Sequence, residues 1–109
     1  EQPMAQLMWY RYVDDYEANL IRPNNLIEPG PRLCVWYTPD RYETGAEARK
    51  SLAMAYTPTH RVGPIPEDNL PILDHQLPRI VGPANREPGG GIEAATSWPL
   101  YLFDVATLP

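Results

Sequence analysis

Aromatic and β-branched residues crowd the start of the chain, where Leu7-Met8-Trp9-Tyr10-Arg11-Tyr12-Val13 reads as a strand. Asp14 then fits the N-cap of a short helix from Asp15 to Ile21, which Pro23 stops. Asn24-Asn25 turns the chain, Leu26-Ile27-Glu28 suits a brief edge strand, and Pro29-Gly30-Pro31 turns it again. Arg32 to Thr38 is a near-continuous apolar run, the pattern of a strand buried on both faces. Thr44-Gly45-Ala46-Glu47 has the spacing of a capping box and opens a second helix, predicted from Gly45 to about Tyr56 and ended by Pro58. Its core-facing stripe is Ala48, Leu52, Ala53 and Ala55 or Tyr56. Further strands are predicted over His60-Arg61-Val62, Leu77 to Val81 and Trp98 to Val105. Pro64 to Pro78 and Gly82 to Gly91 read as loops between them. This order predicts an α+β fold, one domain over residues 1–109, with a small split, mostly antiparallel β-sheet core and two short helices.

A length of 109 residues supports one adequate core, and 14 prolines predict short elements with shaped loops between them. The net charge of -5, one lysine and scattered arginines leave no basic face. That disfavours nucleic acid or an anionic membrane as the main partner, since both reward clustered cations. No apolar stretch reaches the length of a membrane-spanning helix. Cys34, the single cysteine, has no intramolecular disulfide partner and sits in an apolar strand-like run, where a buried inert thiol is expected. His60 and His75 lack a third histidine or a cysteine pair, so no metal site is expected. The chain starts at Glu1, and the expectation is a piece cut from a longer polypeptide.

Three constellations carry candidate chemistry. In Glu87-Pro88-Gly89-Gly90-Gly91-Ile92-Glu93, three glycines cost backbone entropy and mark a place where the backbone turns sharply or approaches something closely. An acid, Glu93, follows at the start of a strand; the plain alternative is a hairpin turn with a solvated Glu93. In Trp9-Tyr10-Arg11-Tyr12, one cation among three aromatics can stack a base and pair with a phosphate, or can simply be an amphipathic strand with Arg11 in solvent. Val35-Trp36-Tyr37-Thr38-Pro39-Asp40 is a strand ending in a hydroxyl and an acid, or core aromatics followed by a turn.

Taken in order, these parts resemble the ADP-ribosyltransferase superfamily, above all the small bacterial toxin domains of its His-Tyr-Asp/Glu division. Pro88-Gly89-Gly90-Gly91-Ile92-Glu93 is also similar to the Pro-Gly-Gly-Gly-x-Gln run of secreted NAD+-glycohydrolase toxins, with glutamate in place of glutamine. The resemblance spans about Leu7 to Val105 and lies in the order of short motifs. It departs from the family in three places. Arg11 stands where the first-motif histidine is expected; arginine there resembles the superfamily's Arg-Ser-Glu division, but that division's Ser-Thr-Ser second motif is missing, with only Thr38 to stand in for it. Gly91 stands where many transferases carry an acceptor-engaging acid or glutamine.

The resemblance implies NAD+ as substrate, cleaved at the nicotinamide–ribose bond, with no metal. It implies Glu93 as the catalytic carboxylate and Arg11 on the pyrophosphate or a ribose. Trp36 or Tyr37 would stack on nicotinamide, Tyr12 would close its other side or hold the amide, and Thr38 would bond the nicotinamide ribose. It further implies a secreted or delivered toxin or effector acting in a target-cell cytoplasm, an ADP-ribose acceptor such as a protein, and a neutralising immunity protein in the producer. Hydrolysis alone, and a non-catalytic interaction domain on the same fold, are the alternatives.

Overall fold

The computed structural model describes residues 8–21, 26–27, 35–69, 76–96, 100–101 and 104–109. Cys34, His75 and the Pro29-Gly30-Pro31 turn lie outside them. Strand β1 (Met8–Val13) leads into α1 (Asp15–Ile21), followed by β2 (Leu26–Ile27), β3 (Val35–Tyr37) and α2 (Gly45–Ser51). Then come β4 (His60–Pro66), one 3-10 turn at Glu67–Asn69, β5 (Gln76–Ile80), β6 (Ile92–Thr96), β7 (Leu100–Tyr101) and β8 (Val105–Thr107). The described strand pairs are all antiparallel. The small α+β architecture with a split antiparallel core is therefore the one the sequence predicts.

The split has a definite form. One sheet has the order β1-β4-β8, a second the order β3-β6-β5, and β2 pairs with β7 in a third piece. The two larger sheets meet where Tyr10 and Thr38 exchange backbone hydrogen bonds of 2.7 and 2.9 Å. Strand β1 sits between two cores because successive side chains point to opposite faces. Trp9 and Val13 join Ala18 and Ile21 of α1, Val62 and Ile65 of β4, and Tyr37 and Ala94 in one cluster. Tyr10 and Tyr12 join Ala48 of α2 and Leu108 in the other, with Tyr42 and Leu52 at its margin.

Both helices start as the sequence predicts. Glu17 donates its backbone N–H to the Asp14 carboxylate at 2.8 Å, and Glu47 donates its own to the Thr44 hydroxyl at 3.2 Å. Three boundaries differ. Helix α2 ends at Ser51, not near Tyr56, because Ala53 turns to φ 50° and Met54 bonds back to the Arg49 carbonyl, the geometry of a Schellman turn. Strand β4 runs on through Pro64 to Pro66, where a loop is expected. Its register against β1 shifts between Trp9 and Arg11, and at such a bulge a proline is tolerated. The single last strand expected over Trp98 to Val105 is divided: β7 pairs with β2, while β8 pairs with β4.

Candidate active site

Arg11, on β1, is held from two sides. Its Nε and Nη2 donate to the Glu17 carboxylate of α1 at 2.6 and 2.7 Å, and its Nη1 donates to the Trp36 carbonyl at 3.1 Å. Burial works to lower the pKa of the guanidinium, but the hydrogen bond and charge of Glu17 outweigh it and the net shift is upward. A forked, charge-assisted pair of this kind fixes orientation as well as charge. Arg11 thereby ties the start of α1 to the backbone of β3. Its guanidinium would have to leave Glu17 to meet a phosphate.

Tyr37, Thr38 and Tyr12 are interior groups, 2%, 1% and 3% exposed. The Tyr37 hydroxyl has no hydrogen-bond partner among the described residues, and burial pushes its pKa up. Thr38 accepts the Asp40 N–H at 3.1 Å and closes the turn after β3. Tyr12 accepts the Tyr42 N–H at 2.6 Å and donates to the Asp40 carbonyl at 3.2 Å, so it braces the same turn from β1. Burial raises both Tyr12 and Tyr42 to about 12.

The glycine run makes its close approach to α2. Gly89 and Gly91 donate their N–H groups to the Lys50 and Ser51 carbonyls, at 3.0 and 2.9 Å. These are carbonyls that a helix end leaves unsatisfied. Gly89 and Gly90 take φ of 74° and 106°, which glycine adopts readily. At Gly91 a Cβ would stand 2.5 Å from the Tyr42 hydroxyl and 3.0 Å from the Ser51 carbonyl. The Asp40 carboxylate then accepts both the Tyr42 hydroxyl and the Ile92 N–H, each at 3.2 Å. The backbone entering Glu93 is thus anchored to α2 and to the turn after β3.

Glu93 itself lies on β6, opposite Arg79 of β5 in the register, and accepts from Arg79 Nη2 at 3.1 Å. The Arg79 guanidinium lies over the Trp36 ring, 4.6 Å from its centroid. Trp36 faces Ala95, two residues on from Glu93, so alternation puts Trp36, Glu93 and Arg79 on one face of the β3-β6-β5 sheet. Tyr37 and Ala94 point the other way, into the core. The structure therefore brings Trp36 and Glu93 to one place and leaves Arg11, Tyr12, Tyr37 and Thr38 in the framework around it.

Sequence reasoning missed Arg79, Glu17 and the clamping role of Asp40. Arg79 had a signal in the pairing of two expected strands with opposite charges, but the register that matches it to Glu93 is tertiary information. A separate cleft of about 680 Å³ is lined by Asp15, Thr44, Thr59, His60 and Leu108 among others, and includes none of the proposed NAD+ contacts. No group of three or more potential metal ligands occurs among the described residues. Compared with family models, with curated proteins and with solved structures, the chain matches none of them.

Proposed function

We propose that the chain cleaves NAD+ at the nicotinamide–ribose bond, as a toxin or effector domain of the ADP-ribosyltransferase kind, with Glu93 as the catalytic carboxylate. The observation that carries this reading is the pair of contacts that Arg79 makes with Trp36 and Glu93 on the β3-β6-β5 sheet. A planar cation lies over the Trp36 ring and against the Glu93 carboxylate, and nicotinamide in NAD+ is also a planar cation. In the reaction the C1′–N bond breaks and its electron pair leaves with nicotinamide, so positive charge develops on the ribose. A fixed carboxylate at that point stabilises the charge where it appears. The acceptor then bonds to C1′ and gives up its proton. Trp36 is the stacking surface. Arg11 acts through the Trp36 carbonyl, Tyr12 and Thr38 hold the turn after β3, and Tyr37 packs in the core behind the sheet.

One observation favours water over a second substrate as acceptor, which would make the domain an NAD+ glycohydrolase. The resemblance expects an acceptor-engaging side chain at position 91, and the space beside Tyr42 and Ser51 leaves no room for one. The test is nicotinamide release from NAD+ by the purified domain and by its Glu93→Ala variant, since glutamine is what the similar glycohydrolase run carries at this position. Loss of this carboxylate is expected to raise the barrier by about 2.7–4 kcal/mol, slowing release roughly 100- to 1000-fold. Equal release by the two proteins would overturn the assignment of Glu93. Absence of both release and NAD+ binding would point to the interaction-domain reading. A labelled-NAD+ screen for modified acceptors separates transfer from hydrolysis.

A further inference from the structure

The contacts of Arg79 are those of a bound ligand. Its guanidinium is flat, delocalised and weakly hydrated, which suits stacking on an aromatic face. It lies 4.6 Å from the Trp36 centroid and donates to Glu93 at 3.1 Å. Arg79 itself comes from β5, which among the described residues pairs with β6 alone, at the end of the β3-β6-β5 order. Its side chain is 56% exposed, whereas Glu93 is 17% exposed. The acceptor side of the contact is therefore enclosed and braced, while the donor side hangs from a sheet edge with solvent beside it.

We propose that Arg79 is an internal competitor: it occupies a planar-cation site formed by Trp36 and Glu93, and an incoming planar cation must displace it. The inference rests on the reading of Trp36 and Glu93 as the nicotinamide site only for the identity of the natural ligand. Holding Arg79 are an exposed cation–π contact and a solvent-accessible ion pair, both modest interactions. Closure on that scale leaves the site open for a minor share of the time and weakens apparent affinity by the same factor, about three- to thirtyfold.

The probe is 1-methylnicotinamide, a planar cation without ribose or phosphate, titrated against the purified domain with binding read by calorimetry. Arg79→Ala, and Arg79→Gln as a longer uncharged replacement should the first disturb β5, are each expected to bind it about three- to thirtyfold more tightly than the parent. The gain is expected to vanish when Glu93→Gln or Trp36→Leu is added. Neutral nicotinamide, of the same shape, should gain little. Unchanged or weaker binding of the cation in both Arg79 variants overturns the proposal, and so does an equal gain for neutral nicotinamide, which would mean only that apolar surface had been uncovered. Tighter cation binding in a protein that, with or without Arg79, neither releases nicotinamide from NAD+ nor labels any acceptor would uphold the internal competitor and remove NAD+ cleavage as the function.

Discussion

At Gly91 a single methyl group decides whether the strand carrying Glu93 can dock on α2. Alanine there would drive a Cβ against the Tyr42 hydroxyl and the Ser51 carbonyl, and the backbone carbonyl has little freedom to move. Overpacking of this sort costs about 1–3 kcal/mol. Gly91→Ala is expected to lower the urea midpoint accordingly, whereas Gly82→Ala, which meets nothing within 4 Å, should change it far less. Equal midpoints for the two variants would mean that the loop does not depend on the close approach. The glycine run was legible as a place of close backbone approach. Its target, the carbonyl end of a helix some forty residues earlier in the chain, was not, because nothing local in either segment encodes the meeting.

Among the elements, α2 is bounded by different kinds of information at its two ends. Its start is written locally, as the Thr44 hydroxyl accepts the Glu47 N–H. Thr44→Ala is expected to cost about 1 kcal/mol, with Thr44→Ser recovering most of it, measured by urea denaturation. No change in Thr44→Ala would show that packing of Ala48 holds the helix without the cap. Its end is tertiary: Lys50 and Ser51 give their carbonyls to Gly89 and Gly91 rather than to a further helical turn. That is why the helical periodicity continuing to Tyr56 misleads. The long β4 has a similar cause. Pro64 reads as a breaker in sequence, but a bulge against β1 accommodates it.

Across the whole molecule, three tyrosines, Tyr12 and Tyr37 buried and Tyr42 partly buried, link stability to alkaline pH. Tyr12 and Tyr42 are pushed up to about 12 and Tyr37 is raised as well, chiefly by burial, which disfavours the phenolate. In the unfolded chain each titrates near 10. The neutral phenols therefore contribute stability that is fully present below about pH 10 and is lost as pH rises through about 12. The urea midpoint is expected to hold steady up to about pH 9–10 and then fall, with part of the tyrosinate absorbance appearing only on unfolding. A midpoint unchanged through pH 11, with all tyrosines ionising together near 10, would contradict the burial of the second core.

The sequence by itself determined the small α+β class with its split antiparallel core, where both helices begin, and that Trp36 and Glu93 lie on strands. These features depend on side-chain periodicity and caps that act within a few residues. Only the tertiary structure decided that Arg11 is matched by Glu17, that Tyr12, Tyr37 and Thr38 are interior, and that Arg79 rests on Trp36 and Glu93. Strand register and sheet order set those meetings. Both are fixed by which faces can be buried together across the whole chain, and no local pattern records them.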